Sequence, residues 1–427
     1  MRFQFLPLVA LIGAGGILCA PISTNGSDVD ALEAQVAQLA IHAYRTTEKA
    51  VQQIGSPGLH NSSTCSSDKL RVRREWFVGS NNMVKEFREM LTSERGSLSK
   101  SQRRDYIRAV RCLQTKPALT PLAVAAGAKT RYDDFVVVHI NQTLTIHYTA
   151  NFLSWHRYFT WSYEEALRNE CGYQGDQPYW DWAKTARDGL LSSPIFDGSD
   201  TSMSGNGANT GNKSDVILSV GSGYAPIDLP SGSGGGCVTK GAFANMTVNL
   251  GPESLPTPGG VTETAPSGNA LDWNPRCLKR DLVDAVNQRY ANYSSVLSLL
   301  STPKIIYDFQ MQMQGVPGTG ELGVHGGGHY TLGGDPGRDV YVSPGDPMFF
   351  LHHGNIDRVW WIWQMLSPYE RQFTDKAISG TRTFLDSPAS ANGTLNDTVQ
   401  FGYAAGPPRP IRDLLSTVNG PFCYTYL

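Results

Sequence analysis

The chain has 427 residues, 40% of them apolar and 17% charged, enough to bury the core of one large domain or two ordinary ones. Its net charge of −2 gives no electrostatic case for a nucleic-acid partner or an anionic membrane surface. Beyond the first twenty residues no stretch is long and apolar enough to make this a membrane protein.

In chain order, residues 1–20 hold one early arginine, Arg2, and then an apolar run ending at Ala20. This is a signal-peptide pattern, with a membrane anchor as the alternative. Cleavage near Ala20 removes Cys19 and leaves Cys65, Cys112, Cys171, Cys237, Cys277 and Cys423. An even number in an oxidising compartment suggests three disulfides. Sequons at Asn25, Asn61, Asn141, Asn212, Asn245, Asn292, Asn392 and Asn396 fit secretion, and Asn141, so near His139, is expected to be buried and unused. From Asp28 to about Ile54, the apolar positions Leu32, Val36, Leu39, Ile41 and Ala43 predict an amphipathic helix. Further helices are predicted over Ser80–Leu91, over Ser99–Leu113 with Ser99 as cap, and over Trp155–Glu170, stopped by Cys171-Gly172. Residues 197–265, rich in glycine, serine, threonine and proline, read as a long loop region with short strands. Helix returns at about 278–300 and at 353–366. No internal repeat is visible.

Seven of the nine histidines fall in two clusters, His139, His147 and His156, then His325, His329, His352 and His353. Neutral imidazole is a preferred ligand for copper, zinc, iron and nickel. Each cluster offers three ligands, which leaves positions open on a metal and suits chemistry more than bracing. In "HYTANFLSWHRYF" the spacing from His147 to His156 spans about 180° on a continuous helix. The chain must therefore break between them, near Ser154-Trp155, with His156 opening the next helix. In "DPMFFLHHGNIDRVWWIW" Pro347 suits a helix start, and Asp357 lies one turn beyond His353. Asp357 is either an acceptor that holds a ligand histidine or the partner of an arginine. His325 and His329 have helical spacing, yet each glycine between them weakens a helix by about 1 kcal/mol relative to alanine.

These three motifs resemble the copper-binding signatures of the tyrosinase/catechol oxidase family of type-3 copper proteins. "RREW" at Arg73–Trp76, "QPYWDW" at Gln177–Trp182, "NPRCLKRDL" at Asn274–Leu282 and the terminal "CYTYL" extend the likeness to short secreted fungal members. The resemblance implies a mainly α fold, a four-helix bundle holding two coppers, with long loops and a few short strands. Copper A would be held by His139, His147 and His156, copper B by His325, His329 and His353, with His352 a neighbour. Metal geometry would then set the glycine-rich spacing, and the glycines would clear the face where a flat substrate approaches. O2 would be the co-substrate, reduced to water by small phenolic substrates that leave as o-quinones. Residues 21–427 would form one catalytic domain, with the tyrosine motif Tyr424–Tyr426 closing it and no shielding domain beyond. Of fifteen possible disulfide connectivities, Cys112–Cys171, Cys237–Cys277 and Cys65–Cys423 are favoured, the third if the tyrosine motif folds back toward the N-terminal region.

Three positions tune the implied reaction. Thr145 stands where some members carry a thioether-forming cysteine. Gly326 stands where good monophenol hydroxylases carry an asparagine that orients a water together with a glutamate, here matched by Glu321. Val340 falls near the position where some catechol oxidases have a blocking phenylalanine. Thr145 implies no thioether and Val340 a more open copper-A side, while Gly326, with no side chain to complete the pair, favours oxidation of o-diphenols, and possible o-aminophenols, over monophenols. A tyrosinase with full monophenol hydroxylation, a non-catalytic O2 carrier and a two-metal hydrolase are the alternatives. The last usually needs bridging carboxylates, which are missing here. The sequence does not give the oligomeric state.

Overall fold

The computed structural model describes residues 26–53, 65–76, 97–218 and 224–427. The signal-peptide pattern, the helix expected over Ser80–Leu91, His60, Asn25 and Asn61 lie outside them. The first helix, α1, spans Gly26–Gln53, close to expectation. Next, α2 is Lys100–Leu113, and Ser99 caps it as expected: its hydroxyl accepts from Gln102 N while the Gln102 side chain accepts from Ser99 N. An unanticipated helix, α3, runs over Arg131–Ile146. Thr130 and Asp133 form its capping box, and Asp133 and Asp134 sit favourably against the positive end of the helix dipole.

Helix α4 is Phe152–Cys171 and stops where Gly172 turns left-handed at φ 65°. It begins three residues before the predicted start. The chain breaks over residues 147–151, not at Ser154-Trp155, so His156 lies a full turn inside α4. Tertiary contacts fix this break. Tyr148, at φ 51°, donates its N–H to Gln314 Oε1 at 2.7 Å and its hydroxyl to Gln314 O at 2.8 Å. A short helix, α5, follows at Trp182–Asp188.

Residues 197–265 are, as read, irregular with short strands. The strands of this region form the antiparallel pairs β2 (Gly207–Asn209) with β5 (Gly235–Val238), β3 (Val216–Leu218) with β4 (Ile227–Leu229), β6 (Thr247–Val248) with β9 (Arg276–Cys277), and β7 (Leu255–Pro256) with β8 (Thr262–Glu263). The helix expected at 278–300 is two short ones, α6 (Asp284–Tyr290) and α7 (Tyr293–Ser301). Lys279, Asp281 and Val283 bond instead to Asp335, Leu332 and Thr331, which delays the start, and Asn292 recaps the chain through Ser295 N.

Helices α8 (Ile306–Gln314), α9 (Gly323–Leu332), α10 (Met348–Met365) and α11 (Pro368–Phe373) are the remaining α-helices among the described residues. Pro347 occupies the N-cap of α10, and Asp346 Oδ1 accepts from Met348 N at 2.9 Å. Asp346 is itself held by a bidentate pair with Arg280 at 2.7 Å, both side chains fully buried. The pair α3/α4 faces α9/α10, and α4 packs on α10, giving the helical bundle. Every residue of α10 is buried, so its aromatic run is core on all sides.

The chain ends are clasped together. Strand β1 (Arg71–Arg73) pairs in parallel with β12 (Tyr424–Tyr426), and Cys65–Cys423 closes the same end. Cys112–Cys171 and Cys237–Cys277 complete the favoured connectivity. Asp357 belongs to this clasp. It takes Arg157 Nε at 2.5 Å, Arg73 Nη1 at 3.2 Å and the hydroxyls of Tyr424 and Tyr426 at 2.6 and 2.5 Å. The arginine reading of Asp357 is therefore the observed one, and no histidine is its partner. Asn141 is exposed on α3, contrary to expectation. Among the described residues no helix is long and apolar enough to cross a membrane.

Candidate metal centre

The bundle brings all seven clustered histidines into its core, in one group of three and one of four, with donor atoms in each group within 4.8 Å of one another. His139 lies on α3, His147 at its C-cap and His156 on α4. His139 Nδ1 is 2.8 Å from Tyr341 O, His147 Nδ1 3.0 Å from Thr143 O, and His156 Nδ1 2.8 Å from Phe152 O. A carbonyl only accepts, so each Nδ1 carries the proton and each Nε2 presents a lone pair. The rings lie 5.1–5.8 Å apart.

In the second group, His325, His329 and His353 have ring centroids 4.8–5.4 Å apart, with His353 Nε2 3.3 Å from His329 Nε2. His156 and His353 stack at 4.5 Å, so the two groups face each other. His352 differs. Its Nδ1 takes the Trp182 indole N–H at 2.9 Å, and its Nε2 lies 3.0 Å from His325 O.

The donor set fits a pair of metal ions. Nε2 of His139, His156 and His325 is buried without a partner. Leaving a buried polar atom unpaired costs about 1–3 kcal/mol, so three such atoms within two facing histidine groups call for a ligand. Imidazole nitrogens alone, with neither thiolate nor carboxylate, suit copper or zinc and not magnesium or calcium. Burial lowers the pKa of all seven, to about 4 for His147 and about 3 for His352. Repulsion between neighbours, such as His147 on His139, adds to this. All are neutral at pH 7, the form that binds metal.

These shifts make the metal-free protein acid-sensitive. Below the ordinary histidine value of 6.5 the unfolded chain takes up protons that the folded chain refuses. Stability from this source is complete above pH 6.5 and falls as pH drops toward the lowered folded values, by about 1.4 kcal/mol per pH unit per proton. Glu75, raised by burial to about 7, Asp339, raised to about 6, and Glu33, Asp133 and Asp176, also raised by burial, act in the opposite sense but are fewer than the seven imidazoles. The thermal midpoint of copper-free protein is expected to fall steeply between pH 6.5 and 4.5. A midpoint that is flat or rising over that range contradicts it.

Aromatic walls surround the histidines. Phe152 lies 5.0–6.1 Å from His147, His156 and His325, and Phe349 stacks on His353 at 4.0 Å and reaches His139 and His329. Sequence reading quoted both within motifs but gave them no role; their places one turn before His156 and His353 were the available signal.

The glycines need a correction. A Cβ on Gly327 would lie 2.8 Å from Tyr290 Cβ, and one on Gly328 would lie 2.2 Å from His352 Cε1. Those two glycines allow α6 and α10 to approach α9; they do not clear a substrate face. Gly326 is the least crowded of the three, a Cβ there meeting Leu322 Cβ at 3.1 Å, close enough that Leu322 must shift slightly. Glu321 is half exposed and lies 3.7 Å from Arg289. Val340 is 39% exposed and precedes Tyr341, whose carbonyl holds His139. Thr145 bonds to Gln142 O, and all described cysteines are in disulfides, so no described thiol is free to form a thioether.

Residues 129–366 match the model of the common central domain of tyrosinase. Tyrosinase P of Aspergillus terreus is 42% identical over 334 residues, covering 78% of this chain and 90% of that protein. N-acetyl-6-hydroxytryptophan oxidase ivoB of Emericella nidulans is 36% identical, covering 85% of this chain and 93% of its own. A solved structure of a variant of the polyphenol oxidase from Thermothelomyces thermophila superposes with a TM-score of 0.79 at 44% identity, covering 92% of this chain and 98% of that one.

Proposed function

The chain belongs to the tyrosinase family of type-3 copper proteins, and from that premise we propose that it oxidises o-diphenols, and related o-aminophenols, to o-quinones with O2 as acceptor. It is a copper oxidoreductase of the polyphenol oxidase kind, which sets aside the O2-carrier and hydrolase alternatives. His139, His147 and His156 hold one copper, and His325, His329 and His353 the other. The unpartnered Nε2 atoms support this assignment most directly. His352 is left out because both its nitrogens are already bonded.

A bound copper pair supplies the electron exchange between O2 and the phenol. The protein's own part is positional. Carbonyls of Tyr341, Thr143 and Phe152 hold the Nδ1 protons and turn the copper-A rings inward. Phe152 and Phe349 keep water from the space between the triads. Gly326 offers no side chain to orient a water. Glu321, which turns to Arg289 at the surface, is a weak aid to removing a phenol proton.

A phenol has a pKa near 10, and a well-placed general base contributes about 10²–10⁴-fold to such a proton transfer. Monophenol hydroxylation should therefore lag behind catechol oxidation. Full tyrosinase activity is the second reading, favoured by the name of the Aspergillus terreus relative. Gly326→Asn separates them, since a Cβ fits there with a small shift of Leu322. The monophenol-to-diphenol rate ratio is expected to rise by about tenfold or more, below the full range of about 10²–10⁴ for a general base because the asparagine only orients a water. Wild-type hydroxylation of tyrosine as fast as oxidation of L-DOPA, or an unchanged ratio in the variant, overturns this reading. Three disulfides support an oxidising compartment, and so secretion with residues 1–20 as the signal and 21–427 as one catalytic domain.

A further inference from the structure

His352 is only 2% exposed and packed among the copper-B histidines. Its hydrogen bonds leave it one state. An indole N–H only donates, so His352 Nδ1, 2.9 Å from Trp182 Nε1, must accept. A neutral imidazole then carries its proton on Nε2, which faces the His325 main-chain oxygen at 3.0 Å. Partners on both sides thus fix tautomer and ring orientation. The ring lies nearly parallel to His325, 23° between planes, and edge-on to His329 at 4.5 Å. Gly328 closes over it, with no room for a Cβ.

Trp182 is fixed in turn. It is fully buried at the start of α5, and its carbonyl accepts from Asn287 Nδ2 at 3.1 Å and Thr185 Oγ1 at 2.9 Å. A path of directed hydrogen bonds therefore runs from α6 through α5 and α10 to the His325 backbone.

We propose that Trp182 and His352 are a positioning pair for copper B: the indole sets the imidazole tautomer, and the imidazole Nε2–H anchors the His325 carbonyl and with it the start of α9. The inference rests on His325, His329 and His353 being the copper-B ligands. Partners of this kind typically change metal affinity by about 10–100-fold when removed.

The test uses copper-loaded enzyme and three variants. His352→Gln keeps an acceptor and a donor on one planar group, His352→Leu keeps bulk alone, and Trp182→Phe keeps the aromatic wall without the N–H. At saturating copper all should hold two ions per chain. On transfer into chelator, His352→Leu should release one of its two coppers about tenfold or more faster than wild type. His352→Gln should stay close to wild type, and Trp182→Phe should fall between them. The other copper should leave at the wild-type rate in every variant, which general destabilisation would not produce. His352→Leu and, to a smaller extent, Trp182→Phe should also lower kcat for catechol with little change in KM, whereas His352→Gln should not. Wild-type release from His352→Leu, or equal losses in His352→Leu and His352→Gln, overturns the proposal. Should His352→Leu fail to fold, wild-type release from Trp182→Phe overturns it. Failure of the ligand assignment would show separately, as two coppers retained by His353→Ala.

Discussion

Alanine in place of His353 is expected to leave one copper per chain and to reduce catechol-dependent oxygen uptake to background. His353 stacks between His156 and Phe349, and its Nε2 faces that of His329. Removing it leaves two nitrogens where an open catalytic site needs three. No neighbour can substitute: the adjacent His352 is committed to Trp182 and to the His325 carbonyl. At saturating copper His352→Gln should therefore still hold two ions per chain, which makes it the control for changes on α10. Elemental analysis with an oxygen electrode reads both. Full copper loading in His353→Ala contradicts the assignment.

Gly328→Ala is the second large effect, and propensity alone gives it the wrong sign. Alanine favours a helix over glycine by about 1 kcal/mol, so either Gly326→Ala or Gly328→Ala should stabilise α9 considered by itself. Packing reverses this at Gly328. The new methyl would sit 2.2 Å from His352 Cε1, a ring held at both nitrogens and unable to yield. Helix α9 or α10 must shift, and overpacking of this kind costs about 1–3 kcal/mol. The displaced element carries His325 and His329 or His353, so copper B should be lost along with stability. At Gly326 the methyl meets only Leu322, at 3.1 Å. Thermal midpoints of the metal-free proteins and copper content should show Gly328→Ala impaired in both and Gly326→Ala close to wild type. Equal behaviour of the two would remove the packing explanation for the glycines.

Much of the site was legible because its chemistry is written in residue identity. Seven histidines in two tight groups require few assumptions about fold, and Ser99, Gly172 and Pro347 mark helix ends through local backbone chemistry that sequence reading captures. What sequence reading missed is set by partners far along the chain. For Asp357 an arginine partner was one of two readings, but that Arg73, Arg157, Tyr424 and Tyr426 share it was not legible, none of them being near it in sequence. The break after His147 is placed by Gln314, and the glycines of α9 answer to Tyr290 and His352. Helix α3 is a different case. Val136, Val137 and Val138 read weakly as helix because β-branched side chains lose rotamer freedom there, yet Thr130 and Asp133 stood at capping-box spacing in the sequence.

The most direct test of a dicopper oxidase is to titrate metal-free protein with copper and follow catechol-dependent oxygen uptake against copper bound per chain. The two histidine triads predict that activity is absent without copper and reaches its plateau at two coppers per chain, with one O2 consumed for two catechols oxidised. A plateau at one copper per chain, or oxidation by the metal-free protein, would contradict it.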